Sequence, residues 1–161
     1  MEPSLIWVGL WGLGLLVAMV AIAIFHRRLQ ASLATAPRLP LLETVPQSLP
    51  TVTLIVPAYN EHVNITECLD AVLASQLPNP DQLQVIVADD ESTDDTAALA
   101  AAVALTDKRV EVMTVPPRPT EVSWRGKNWA CANAVEKATG DYLLFIDADV
   151  RLEPDAIATA L

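Results

Sequence analysis

Basic residues are scarce in this 161-residue chain: 10 lysines and arginines stand against 20 aspartates and glutamates, for a net charge of −10. A nucleic-acid partner requires a basic face to neutralise phosphates, so nucleic acid is excluded as a partner. Cysteine is scarcer still. Cys68 and Cys131 lie far apart and form no CxxC or Cys/His cluster, which argues against zinc and reads as two buried free thiols in a reducing compartment. The fingerprints GxGxxG and GxxxxGK[ST] are both missing. Their absence counts against a dinucleotide-dependent oxidoreductase and a P-loop NTPase. There is no internal repeat, and the one biased tract is the alanine-rich stretch at 97–104.

Charge is missing altogether from "SLIWVGLWGLGLLVAMVAIAIF", residues 4–25. As a helix these residues would be roughly 33 Å long, enough to cross a hydrocarbon core. A cleaved signal peptide would carry positive charge ahead of a shorter apolar run, whereas here Glu2 precedes and Arg27 and Arg28 follow. The expectation is a single membrane span. The "HRR" at 26–28, with Arg38 beyond, places the following domain on the cytoplasmic side. Gly9, Gly12 and Gly14 do not fall in GxxxG spacing, so no helix dimer is read from them. Residues 26–50 hold Pro37, Pro40, Pro46 and Pro50 and read as a juxtamembrane linker. "LPLLETV" within it is apolar enough to touch lipid, but the prolines interrupt a helical pattern.

Beyond residue 50 two kinds of segment alternate regularly. "TVTLIV" (51–56), "LQVIVA" (83–88), "VEVMTV" (110–115) and "YLLFI" (142–146) are apolar runs expected to be strands. Helices are expected between them at 64–76, 93–105 and 127–138, the first with Asn64 as N-cap and Glu67 completing a capping box. The fold class is therefore α/β: a mainly parallel sheet over residues 51–161 with helices on both faces, its apolar strands buried on both sides. In such sheets ligands bind at the carboxyl ends of the strands. Those ends are 57–61, 89–95, 115–127 and 147–149, and most of the unusual polar residues fall there.

Acidic residues dominate two of the four ends, in "ADDESTDDT" and "DAD". Carboxylates set together raise one another's pKa unless a cation joins them. Oxygen ligands without His or Cys favour Mg2+ or Mn2+, ions that keep waters and take further ligands from phosphates. Asp94 and Asp95 have a plainer role as acids in a helix's first turn. Asp147 and Asp149 have no helix start to serve. Gly126 and Lys127 stand at a loop-to-helix junction, suited to an anionic group, with Trp124 and Trp129 on either side. Trp129 reads as packing on the sheet. Tyr59, just past the first strand, either stacks on a flat base or is a buried structural tyrosine.

Together "IVPAYNE" (55–61), "VADDESTDDT" (87–96), "GKNWACANA" (126–134) and "GDYLLFIDADV" (140–150) resemble the family 2 glycosyltransferases with a GT-A fold, over about residues 51–161. "WRGKNWA" and the preceding span look most like the membrane-bound branch that glycosylates lipids, which includes hopanoid-associated, ceramide and carotenoid glycosyltransferases. The resemblance implies a nucleotide-sugar donor, commonly a UDP-sugar, and inverting transfer to a lipid or polyisoprenoid acceptor. It implies that Tyr59, in the loop led by Pro57, lies against the nucleobase and that Asp90 bonds the base, Asp89 being the lesser contact. Asp149 would bind the divalent ion bridging the diphosphate, and Asp147 the ribose or the ion. Lys127 would face the diphosphate, with Glu61 assisting near the nucleotide.

Two departures stand out. Glu91 occupies a position where the family often has a small residue. The chain also stops at Leu161, 12 residues beyond Asp149, so the acceptor-side half with its catalytic carboxylate is expected elsewhere, on a separate chain or in a longer product. Glu153 and Asp155 read as the start of the next helix. The alternatives are an inactive fragment or regulatory nucleotide-sugar-binding module, and a nucleotidyltransferase. The last would want a glycine-rich basic loop after the first strand, which "PAYNEHVN" is not.

Overall fold

Residues Pro3–Thr35 form one helix, α1, of 33 residues and thus about 50 Å. It begins on a proline, which suits a first helical position, and runs through His26, Arg27 and Arg28 well past the apolar run. The large apolar side chains from Trp7 to Phe25 are all exposed. Among the described residues nothing covers these side chains, and a helix satisfies its own backbone hydrogen bonds, as an apolar surrounding requires. By length and composition it is long and apolar enough to cross a membrane.

The computed structural model describes residues 3–36, 46–119 and 126–161. The expectations for Arg38, for residues 37–45 of the proline-containing linker and for Trp124 lie outside those residues, while residues 26–35, read as the start of that linker, instead continue α1. Two compact units are present, residues 1–39 and 40–161.

In the second unit, strands β1 (Val52–Ala58), β2 (Leu83–Asp89), β3 (Val110–Thr114) and β4 (Tyr142–Phe145) form a parallel sheet in the order β3-β2-β1-β4. Helices α2 (Ile65–Leu73), α3 (Thr96–Thr106) and α4 (Gly126–Val135) alternate with the strands, and α5 (Ala156–Ala160) follows β4. The chain steps outward from β1 to β3 and then returns to the other side of β1. The gap between β1 and β4 is therefore a topological switch point, where α/β sheets open a crevice at their carboxyl ends.

Side-chain alternation divides the core between the two faces of the sheet. Leu54 and Val56 of β1 and Val85 and Val87 of β2 pack with Ile65, Leu69 and Val72 of α2 and Ala100 of α3. Ile55, Ile86, Ala88 and Met113 point the other way and meet Ala130 and Ala134 of α4, with Trp129 alongside. Covering both faces explains why β1 and β2 read as unbroken apolar runs. The spacing of Ile65, Cys68, Leu69 and Val72, all fully buried, makes one helical stripe. On the α4 side, alanines one turn apart let the helix lie close to the sheet. Gly140 is required by a close approach: a Cβ there would lie 2.5 Å from the Thr53 backbone nitrogen. Instead its N–H donates to Thr53 Oγ1 at 2.9 Å.

Three expectations are corrected. The β4 run is not buried on both faces. Tyr142, Leu143 and Phe145 are 56%, 41% and 46% exposed, because β4 pairs with β1 along one edge and no described strand takes the other. Asn64 occupies the N-cap of α2 but makes no side-chain cap; its amide donates to Glu61 Oε2 at 3.0 Å, and Glu67 pairs with Arg151 at 2.9 Å instead of closing a box. A capping box does occur at Asn79 and Gln82, on the 3-10 turn Pro80–Gln82. Both cysteines are free, but Cys131 is only partly buried. Burial pushes the Cys68 thiol up to about 11.

Candidate functional site

The loop after β1 turns at Asn60, whose φ of 56° is a left-handed conformation that asparagine tolerates. From there it is laced to the loop after β2. The Asn60 N–H donates to Ser92 Oγ at 3.0 Å, and Asn60 Oδ1 accepts from the Thr93 N–H at 2.8 Å. The Glu61 N–H donates to Thr96 Oγ1 at 2.7 Å, and His62 Nδ1 lies 2.7 Å from Asp94 Oδ2. Asp94 Oδ1 accepts from the Thr96 N–H at 3.0 Å, so Asp94 caps the start of α3 as expected, while Asp95 makes no side-chain cap. Burial pushes the Asp94 carboxyl up, but the bonds from Thr96 and His62 outweigh it and hold the group well below the usual carboxylate range. These bonds fix Tyr59 and Glu61 relative to Asp90, whose N–H donates to Ala58 O at 2.9 Å.

At the switch point, β1 and β4 are in register from Val52↔Tyr142 to Ile55↔Phe145. Continuing that register brings Asp147 out beside Pro57. Ala148 is buried in the core, and the exposed carboxylates of Asp147 and Asp149 flank it. The turn is closed by the Val150 N–H on Asp147 O at 3.1 Å. It is buttressed by the Cys68 thiol, 3.7 Å from the same oxygen. Lys127, in the first turn of α4, forms an ion pair with Asp147. Its hydrogen bond to that carboxylate raises the Lys127 pKa, with burial opposing. Both partners are more than half exposed, so the pair adds little to stability and is open to exchange.

These elements enclose a crevice of about 250 Å³ lined by Pro57, Tyr59, Glu61, Asp90, Lys127, Asp147 and Asp149. Seven of the eight expected site residues thus meet in one place. Tyr59 is 59% exposed, which decides against a buried structural tyrosine. Asp89 is the exception. It is 4% exposed, and its Oδ1 has no hydrogen-bond partner. As the last residue of β2 it shares the parity of Val85 and Val87, and that alternation turns it from the crevice.

Three further residues lie beside the crevice. Gly126 opens α4 so close to Asp90 that a Cβ would lie 2.5 Å from Asp90 Oδ2. Glu91 has φ 61°. Together with Tyr59, Asp90, Gly126 and Arg118 it lines an adjoining cavity of about 490 Å³. The sequence signal for Glu91 was its departure from a small residue; for Arg118 there was none.

No group of three or more His, Cys, Asp or Glu side chains is placed to hold a metal among the described residues. Asp147 and Asp149 nonetheless supply two hard oxygen donors on an open face, and Asp149 carries no side-chain hydrogen bond among those residues. That set suits a cation completed by water and phosphate oxygens and does not suit zinc.

The glycosyl transferase family 2 model matches residues 53–161. The chain belongs to glycosyl transferase family 2. Among its relatives is the 4,4'-diaponeurosporenoate glycosyltransferase of Staphylococcus aureus, 36% identical over 110 residues, covering 68% of this chain and 27% of that protein. This family 2 chain thus spans about a quarter of that relative's length. In structure it is similar to the mannosyltransferase PcManGT from Pyrobaculum calidifontis in complex with GDP-Man and Mn2+, with a TM-score of 0.66 at 31% identity over 88% of this chain and 39% of the other. It is also similar to S. aureus TarS in complex with UDP-GlcNAc, with a TM-score of 0.53 at 26% identity over 68% and 30% of the two chains. The expected GT-A-like α/β architecture is therefore shown.

Proposed function

We propose that this family 2 chain is the donor-binding half of a membrane-anchored, metal-dependent glycosyltransferase. It would serve inverting transfer from a nucleotide-activated sugar to a lipid or polyisoprenoid acceptor. The observation that carries this reading is the convergence of Tyr59, Asp90, Lys127, Asp147 and Asp149 on one crevice at the switch point. Solved neighbours bind GDP-Man or UDP-GlcNAc, one of them with Mn2+, and a relative is named for glycosylating 4,4'-diaponeurosporenoate.

In this reading the Tyr59 ring packs on the nucleobase and Asp90 accepts from its ring N–H. Asp149 and Asp147 would hold Mg2+ or Mn2+, which when bound offsets charge on the departing diphosphate. Lys127 exchanges its bond to Asp147 for one to a phosphate oxygen. Transfer forms a bond from the acceptor oxygen to the anomeric carbon as the carbon–diphosphate bond breaks, and a carboxylate takes the acceptor's proton. We assign that base to no residue here and place it in the part of the relatives' length that this chain does not span. The uncovered side of β4, with Tyr142, Leu143 and Phe145, is where an acceptor-side half would pack.

Helix α1 is the membrane anchor, and the arginines at its cytoplasmic end orient the catalytic unit. A reporter fused after Leu161 should be active in the cytoplasm, and a signal from the opposite side overturns the topology. Titrating nucleoside diphosphates against the full chain in detergent, with and without Mn2+, tests donor binding. Metal-stimulated binding is expected, and no binding in either condition refutes the reading.

A further inference from the structure

We propose that Glu91 makes this site selective for a guanine nucleotide over a uracil one. The inference rests on the donor-binding reading above and departs from the uracil that the family resemblance implies. The diphosphate crevice and the cavity beside it share Tyr59 and Asp90, so a nucleotide whose phosphates meet Lys127 extends its base toward Glu91 and Arg118. That cavity offers an aromatic ring, a guanidinium and two consecutive carboxylates.

The hydrogen-bonding edge of a base must match that set. Asp90, as an acceptor, needs a ring N–H, which guanine presents at N1 and uracil at N3; adenine and cytosine present a bare ring nitrogen there. Arg118 donates to the carbonyl on one side of that N–H, O6 in guanine or O4 in uracil. The two bases differ at the third position. Guanine carries an exocyclic amine there, a donor, whereas uracil carries a carbonyl oxygen. A carboxylate can accept only from the first, and beside the second it sets oxygen lone pairs against oxygen lone pairs. Glu91 is the residue available to that position. Its backbone is held at φ 61°, where glycine would be at ease, and the residue is exposed and borders the cavity.

Inosine diphosphate isolates the claim, because it keeps N1–H and O6 but lacks the amine. The experiment is calorimetric titration of GDP, inosine diphosphate and UDP, each with Mn2+, into the full chain in detergent, for the parent and for Glu91→Gly. Glycine suits the backbone angle, so the loop is kept. The parent should bind GDP at least tenfold more tightly than either of the others, as expected for loss of a charge-assisted hydrogen bond. Glu91→Gly should bring GDP and inosine diphosphate within about twofold of each other. UDP or inosine diphosphate binding the parent as tightly as GDP overturns the inference and leaves the donor reading standing, as does a GDP preference that survives Glu91→Gly. Failure of all three to bind the parent overturns the donor reading itself.

Discussion

Replacing Gly126 with alanine should weaken nucleotide binding without weakening the fold. The new Cβ would lie 2.5 Å from Asp90 Oδ2, with the Asp90 Cγ next at 3.7 Å. The obstructed atom is the tip of a short side chain, so Asp90 can rotate away and the backbone need not move. Alanine is also the better helix former at the start of α4. Stability should therefore change by less than about 0.5 kcal/mol. Nucleotide binding should suffer, because the carboxylate assigned to the base is driven from its place. A hydrogen bond to a charged group is worth about 1.5–3 kcal/mol, or roughly 10- to 150-fold in Kd. Chemical unfolding and calorimetric titration of GDP and UDP with Mn2+, run on the same preparation, read the two quantities separately. If the variant binds both nucleotides as the parent does, Asp90 does not contact the base, and the assignment is refuted.

Gly140→Ala makes the opposite demand. Its Cβ would lie 2.5, 2.6 and 2.9 Å from backbone atoms of Thr53 and Val52, so β1 itself must shift and stability should fall by about 1–3 kcal/mol; an unchanged unfolding midpoint contradicts that packing. Asp94 supplies a pH test. Its folded-state pKa is depressed by the bonds from Thr96 and His62 despite burial, so its contribution is present above the unfolded value of about 3.9 and is lost as pH falls through the lower folded one. Asp94→Asn should flatten that part of the acid-unfolding profile, and a profile parallel to the parent's would show that Asp94 does not link stability to pH. Iodoacetamide at about pH 8.5, near the ordinary thiol pKa, should label Cys131 before Cys68, as mass spectrometry of digested protein would show. Equal rates would contradict the burial that pushes Cys68 up to about 11.

Where the sequence was legible, one local pattern matched one physical requirement. β1 and β2 are apolar throughout because α2 and α3 cover one face and α4 the other. The run at β4 looks the same, yet apolarity records a need for cover and does not supply it, so Tyr142 and Phe145 stand exposed. The site was legible because parallel sheets bind ligands at strand ends, which narrowed the chain to four short stretches. Which of two adjacent aspartates faces the crevice depends on where β2 ends and on its alternation, and Asp89 was lost on that point. The lacing of Asn60, His62 and Asp94 joins loops more than 30 residues apart in sequence, beyond the reach of any local pattern. The left-handed backbone of Glu91 is a property of the folded loop and could be inferred only from the residue type it displaces.

The central claim is that Asp149 and its neighbours hold a donor diphosphate through a divalent ion. Its most direct measurement is the affinity of the full chain for a nucleoside diphosphate with and without Mn2+, in the parent and in Asp149→Ala. The account predicts that Mn2+ strengthens binding by tenfold or more in the parent, about 1.4 kcal/mol, and has no effect in the variant. An Asp149→Ala chain that responds to Mn2+ as the parent does would contradict it.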